Sequence, residues 1–302
     1  MTDLFNTGIR PAVDAYLQKK SEEVRNYGDY WSASSAGYCM RLNIMRRLGV
    51  PPVPEIADSA ARTRVFEAGH IFHEWMQRIT KNAGLSIAQE VELQNEELMV
   101  RGHFDDLVLI SEPASDVPDD APSHQIPYDG KQHLILYDYK TAHSASFNYS
   151  KNRPMGNYHT MQLATYMYML NNKQQELLNS ITNMKMEALK YKIPVGEIDP
   201  AWTGPVTEAR ILSISKDDLR MHETQLMWSP ELEKRVYEYW STLNGYWKAK
   251  TMPRCTCAEN DGGFMARRSS KGKVYNDYFY NDEPCSLEWY QLWKEKQGAE
   301  SK

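Results

Sequence analysis

The 302-residue sequence holds no apolar run near the roughly 18 residues of a membrane-spanning helix, which argues against an integral membrane protein. Its opening, MTDLFNTGIRPAVDAY, lacks the basic-then-apolar profile of a secretion signal, so an intracellular protein is expected. Positive charge is not in surplus. At a net charge of −5 there is no global basic field, and any nucleic-acid surface has to be a local patch. No G-x-x-x-x-G-K-S/T occurs, which excludes an ATP motor of the P-loop kind. No internal repeat occurs either. Cysteine is scarce, with four residues, and in a reducing compartment these are not expected to pair as disulfides. They need another role.

What is present is an ordinary globular composition, 41% hydrophobic and 25% charged, long enough for one large domain or two small ones. Eight Trp and 19 Tyr supply material for aromatic packing or base stacking. Periodicity and punctuation predict a polar helical region over 1–30 and a helix ending at Gly49, stopped by Pro51, Pro52 and Pro54. A helix follows over 60–82 with a stripe of Val65, Phe72, Met76 and Ile79. Strands are expected at 87–93, 98–110, 133–140 and 206–215, and a helix at 157–171. Ser229 and Pro230 open a further helix with the stripe Leu232, Val236, Tyr239, Trp240, Leu243 and Trp247. The Pro- and Asp-rich stretch 111–132 reads as a long mobile loop, and the chain after Lys250 as irregular. This order describes a mixed α/β core with helices packed on a sheet.

One strand, LILYDYKTAHS, ends in charge. Leu134, Leu136, Asp138 and Lys140 share one face; Ile135, Tyr137 and Tyr139 share the other. The same D-x-K spacing recurs at Asp129-Gly130-Lys131, but there it reads as a turn within a loop. The preceding strand carries Asp105 in RGHFDDLVLI. If the two strands pair, the two carboxylates meet. They repel unless a cation sits between them, and hard oxygen ligands suit Mg²⁺ or Mn²⁺. His73, beside the stripe of the 60–82 helix, can face the sheet's end. Gln162 and Tyr166 lie at i and i+4 on one helix face. Asp106 points to the opposite face from Asp105, and His70 lies on a different helical face from His73, so both rank lower. Taken singly, each residue has a plain explanation: a solvated ion pair, a surface histidine, a helix-packing amide.

Taken as an ordered set, they resemble the RecB-like branch of the PD-(D/E)XK nucleases. Gly69 to His73, followed by Glu74, matches that branch's glycine-x-x-x-histidine helix. Gly102 to Asp105 matches its glycine-x-x-aspartate strand, and Asp138-Tyr139-Lys140-Thr141 its acid-x-lysine strand. Gln162 and Tyr166 match its glutamine-x-x-x-tyrosine helix. The likeness covers about residues 30–290. It implies a restriction-endonuclease-like α/β fold, with His73, Asp105, Asp138 and the Tyr139 carbonyl on the metal and Lys140 orienting the attacking water. Gln162 and Tyr166 would approach the phosphate backbone.

Cys39, Cys255, Cys257 and Cys285 make one tetrahedral thiolate set, for zinc or an iron–sulfur cluster, unless they are ordinary buried thiols. They resemble a subset of RecB-like nucleases, including AddB and the CRISPR-associated enzymes. There one cysteine before the histidine helix and three after the core hold a 4Fe–4S cluster. Here the last three are spaced less compactly, which leaves Zn²⁺ as the alternative. A local basic rim is expected from Arg41, Arg46 and Arg47, from Lys151 and Arg153, and from Arg267, Arg268, Lys271 and Lys273. Tyr275, Tyr278, Phe279 and Tyr280 interleave with the last group, as stacking on single strands requires.

The expectation is therefore a single nuclease domain over 1–302, with an N-terminal arm (1–58), a catalytic core (59–228) and a C-terminal three-cysteine arm (229–302). It would be a Mg²⁺- or Mn²⁺-dependent DNA exonuclease acting on free-ended or single-stranded DNA in end processing, recombination or replication. It would work in the cytoplasm, the host's if the source is viral, without a membrane partner. The rivals are a non-catalytic DNA-binding or assembly subunit and a redox-sensing iron–sulfur protein.

Overall fold

The computed structural model describes residues 9–22, 28–53, 59–113, 128–172, 205–257, 267–268, 274–275, 280 and 283–300. Its centre is a five-stranded mixed sheet in the order β2 (Ser86–Gln89), β5 (Asp106–Pro113), β6 (Tyr128–Ala142), β7 (Glu208–Ser215) and β8 (Met221–Met227). Only the β6–β7 pair is parallel. A smaller mixed sheet has the order β1 (Trp31–Ser32), β4 (Val100–His103) and β3 (Glu92–Asn95). A two-stranded ribbon pairs β9 (Arg267–Arg268) with β10 (Val274–Tyr275). Among the described residues, no helix is long and apolar enough to cross a membrane.

Strand alternation separates two layers of core. Leu107, Leu109, Leu134, Leu136, Ala209 and Ile211 face α5 (Asn157–Asn172) and α6 (Pro230–Lys248). Val108, Ile135, Tyr137, Tyr139, Leu212 and Ile214 face α3 (Ser59–Asn82) through Met76, Phe72 and Trp75. Helix α5 is buried all round from Met161 to Leu170, because sheet, α6 and the short Ala33–Ser35 turn enclose it. Helix α6 starts where its sequence signals it: the Ser229 hydroxyl accepts from the Leu232 amide, Pro230 stands in the first turn, and Glu231 and Glu233 meet the dipole.

Several expectations need correction. The 98–110 strand is two strands in different sheets, β4 and β5, and 87–93 divides likewise into β2 and β3. Asp105 at the first break uses its side chain where a strand would use its backbone. The expected 111–132 loop is narrower: β5 runs to Pro113 and β6 begins at Tyr128, so Asp129, Gly130 and Lys131 are strand. Residues 114–127 lie outside the described residues. Strand β8 was not foreseen, because an edge strand with no buried side chain gives no apolar signal. The helices α4 (Ser144–Lys151) and α7 (Leu287–Glu300) add to the expected elements, and among the described residues of 1–30 the helix α1 occupies Ile9–Glu22. In α3, Met76 and Phe72 meet the sheet while Val65 and Ile79 stay exposed. α1 lies alongside, with Asp14 accepting from Arg64.

Asp106 anchors the α3 side of the sheet. Its fully buried carboxylate accepts from Thr80 Oγ1 at 2.6 Å, Ser86 Oγ at 2.5 Å, Tyr139 Oη at 2.8 Å and Gln89 Nε2 at 3.1 Å. Burial pushes this carboxyl up, and those donors offset only part of the rise. Asp106→Ala leaves four donors without their acceptor and is expected to cost about 3 kcal/mol. Urea denaturation measures it, and a loss below about 1 kcal/mol would mean that the network re-pairs on its own.

Candidate metal centres

The first centre forms at the end of β6. The β5–β6 ladder ends at the pair Asp106–Tyr137, which sets Asp105 opposite Asp138. Asp105 Oδ2 accepts from the Tyr139 amide at 2.6 Å, a charge-assisted bond that stands in for the next ladder rung. On the other side Asp105 Oδ2 lies 3.4 Å from His73 Nδ1, delivered by α3. Asp138 is almost fully buried. Lys140 Nζ reaches its two oxygens at 2.9 and 2.8 Å, and Gln162 Nε2 donates to Oδ1 at 3.0 Å.

The electrostatics follow. Burial pushes Asp105 up, but the His73 hydrogen bond, the His73 and Lys140 charges and the Tyr139 amide outweigh it and hold the carboxyl below the usual range. Burial also raises Asp138, which stays raised because Asp105 adds repulsion to what Lys140 offsets. Lys140 is depressed by burial and raised more by Asp138 and Asp105, so the amine stays protonated. His73 is likewise depressed by burial and raised above its ordinary value by Asp105. The centre holds its charges through one another.

The fold brings His73, Asp105, Asp138, Lys140 and Gln162 together. Tyr166 is buried one helical turn beyond Gln162, and the charges of Asp105 and Asp138 push its phenol well up after burial has done most. Gly102 explains the fit around Tyr166: a Cβ there would lie 2.8 Å from Ala33 Cβ and 3.0 Å from Tyr166 Oη. Tyr139 sits in β6 opposite Leu212 of β7. His70 is exposed and turned to Glu67, and a Cβ at Gly69 would make only an ordinary contact with Thr141 Oγ1, at 3.8 Å.

Sequence reasoning missed Glu90. It follows β2 with a positive φ of 51° and accepts from Gln77 Nε2 at 2.7 Å, while Gln77 also donates to the Asp105 carbonyl at 3.1 Å. One ligand atom each from His73, Glu90 and Asp105 falls within 4.8 Å of the others. An imidazole and two carboxylates are a donor set for Mg²⁺ or Mn²⁺. Asp138 stands beside this trio, occupied by Lys140 and Gln162. No apolar period or turn motif marks Glu90; only the bend between β2 and β3 carries it to the site.

The second centre joins the two ends of the domain. The Sγ atoms of Cys39, Cys255, Cys257 and Cys285 all fall within 4.8 Å of one another, with Cys39–Cys255 at 3.9 Å and Cys257–Cys285 at 3.5 Å. Cys39 stands at the N-terminus of α2 (Met40–Arg47), where the helix dipole favours a thiolate, and accepts from the Thr256 amide. The thiol contacts push Cys39 and Cys255 down and Cys257 and Cys285 up, so four thiolates need a shared cation. The set can hold a metal ion.

Arg41 is a correction to the expected basic rim. It is buried and donates to the Pro253 carbonyl at 2.7 Å and to the Cys285 carbonyl at 3.3 Å, so it ties the cysteine segments together. Arg47 lies over the rings of both Trp31 and Trp247 and donates to the Asp29 carbonyl, which also removes it from the rim. Arg46 is exposed over the Tyr38 ring, and Arg153 over the Tyr149 ring. Lys151 is exposed. Arg267, Arg268 and Tyr275 fall in the β9–β10 ribbon, and Tyr280 stacks near Trp289; Lys271, Lys273, Tyr278 and Phe279 lie outside the described residues.

No family model and no curated protein matches the chain. Among solved structures, one titled "Crystal structure of SSO0001" aligns with 85% of this chain and 95% of its own at 14% identity, with a TM-score of 0.43.

Cys39→Ser removes one thiolate of four and is expected to empty the centre and lower the thermal midpoint, as EDTA treatment of the wild type should. Metal content by elemental analysis checks this. Content equal to the wild type's would show that Cys39 is not a ligand.

Proposed function

We propose that the chain is a divalent-metal-dependent deoxyribonuclease of the RecB-like PD-(D/E)XK type, acting as an exonuclease on DNA ends. The observation that carries the proposal is the convergence of His73, Asp105, Asp138, Lys140 and Gln162, drawn from α3, the β4–β5 break, β6 and α5, at one end of the sheet. A merely solvated ion pair does not gather buried and half-buried partners from four elements. The protonated Lys140, held on buried Asp138, and the occupied carboxylates argue against a non-catalytic subunit, which needs none of them.

His73, Glu90 and Asp105 would hold the catalytic ion, which when bound neutralises charge on the phosphoryl oxygens and lowers the pKa of water. The protein's own groups do the rest. Asp138 holds the Lys140 ammonium in place through both oxygens, and Gln162 fixes Asp138 in turn. Lys140 stays protonated, so it acts as a hydrogen-bond donor that orients the attacking water and faces the charge developing on the phosphate, and it is not the base. Buried Tyr166 closes the α5 side against bulk water.

The cysteine centre is structural in this proposal. The resemblance to iron–sulfur nucleases implies a 4Fe–4S cluster. The sulfur spacing favours the second reading, a single tetrahedral ion such as Zn²⁺, because four ligands at about 2.3 Å from one ion stand about 3.8 Å apart, near the 3.5 and 3.9 Å found. About four irons per chain indicates the cluster and one zinc the single ion.

End-labelled linear DNA and circular DNA with Mg²⁺ or Mn²⁺ test the function. Cleavage is expected on the linear substrate and is expected to stop in EDTA. Lys140→Ala and Asp138→Asn are expected to lose at least about a hundredfold in rate with the fold retained. Near wild-type cleavage by either variant, or full activity in EDTA, would remove the proposed mechanism.

A further inference from the structure

A second concave site adjoins both centres. It is an open cleft of about 440 Å³ between the Gly37–Met40 segment, the first turn of α5, the outer face of α6 and the irregular segment Pro253–Thr256. This volume is in the range of small-ligand sites. The walls combine tyrosine rings with two exposed cations, Arg235 and Arg254; the nearest acid in the lining is Glu238. Rings beside guanidinium groups are the chemistry that receives a base and its phosphate.

The cleft's position relates it to the first centre. Asn157 and Met161 line it, at i and i+4 of α5. Tyr158 and Gln162 stand one residue on, about 100° round the same helix, and Gln162 is the group that donates to Asp138. Cleft and catalytic side chains thus occupy adjacent faces of one helical turn. Aromatic rings continue the link: Tyr38 lines the cleft, its ring centre is 6.3 Å from that of Tyr158, and Tyr158 rests on His159 at 3.9 Å. Tyr158 in turn feels the charges of Lys140 and Asp138. Exposed Arg46 lies over the Tyr38 ring, 5.8 Å from its centre.

The close packing that makes this wall is written in Gly37. Its φ is +74°, and a Cβ there would stand 3.0 Å from both Met161 Cβ and Tyr158 Cα. The cleft floor is also held from the cysteine centre, since the Tyr239 hydroxyl donates to the Tyr38 carbonyl at 2.8 Å and Thr256 donates its amide to Cys39. The cleft is therefore a pre-formed site between two rigid anchors.

We infer that this cleft is a subsite for a nucleotide of single-stranded DNA, one whose neighbouring phosphate reaches the Asp138–Lys140 end of β6 across Tyr158 and Tyr38. The inference rests on the nuclease proposal for the second half of that path and on the cleft itself for the first. A cleft of about 440 Å³ has room for one nucleotide and not for a duplex. Arg235, which donates to Asn157 Oδ1 at 2.8 Å, is already turned toward α5 and the cleft.

The test uses the full metal-loaded chain and a short fluorescein-labelled single-stranded oligonucleotide. Two variants are compared with the wild type: the double exchange Arg235→Glu with Arg254→Glu, and Thr242→Trp, which fills the cleft from exposed α6. The double variant is expected to bind the strand about tenfold more weakly or worse, with a shallower salt dependence by roughly two counterions. Thr242→Trp is expected to weaken binding without changing the salt slope. Metal content and circular dichroism verify the fold of both variants.

If both folded variants bind the strand as the wild type does, the cleft is not the subsite, whatever the nuclease activity. If the wild type fails to bind any single strand, the inference also falls. If the wild type binds through Arg235 and Arg254 yet cleaves nothing with any divalent metal, the subsite stands and the nuclease proposal falls.

Discussion

The bond from the Tyr139 amide to the Asp105 carboxylate is the constraint around which the rest is arranged. It comes where β5 leaves the ladder, so a side chain instead of a carbonyl takes the next rung of β6. That substitution turns Asp105 in toward the strand end, opposite Asp138. A buried and a half-buried carboxylate facing each other there are tolerable only with cations, and the fold supplies two, Lys140 from the strand of Asp138 and His73 from α3. Gln162 and Asp106 then hold the two layers on either side, one through Asp138 and the other through the Tyr139 hydroxyl. The site is in this sense a consequence of strand termination.

A second constraint is topological. The chain leaves Cys39 early and returns to it 216 residues later at Cys255. Only a folded core brings these together, and Arg41 reinforces the closure by bonding carbonyls beside both cysteine segments. Along the same seam, Trp31 donates to Asn244, and Asn244 to the Leu98 carbonyl, so the small sheet and α6 are locked to one another. The α5 turn that carries Gln162 packs directly against the Gly37–Cys39 segment.

Much of this was legible in the sequence where the signal was local. Alternation in LILYDYK gave the correct two faces of β6, and Ser229-Pro230 marked the start of α6. The opposition of Asp105 and Asp138 followed from pairing neighbouring strands, and Asp106 was rightly set on the other face. What was not legible depended on tertiary context. Nothing in RGHFDDLVLI says that the chain changes sheets at Phe104 and Asp105. Glu90 has no pattern because it acts from a bend. Edge strand β8 buries nothing, so its composition resembles a loop. Arg41 and Arg47 look like surface charge, and only packing shows that carbonyls and indole rings take them up.

The central claim is that His73, Glu90 and Asp105 make a divalent-metal site beside Asp138 and Lys140. Titration of the EDTA-stripped and reconstituted chain with Mn²⁺, followed by electron paramagnetic resonance, tests it most directly. The account expects one Mn²⁺ bound per chain outside the cysteine centre, weakened about tenfold or more by Asp105→Asn and by Glu90→Gln. Binding as tight in both variants as in the wild type, or no Mn²⁺ bound by the wild type, would contradict it.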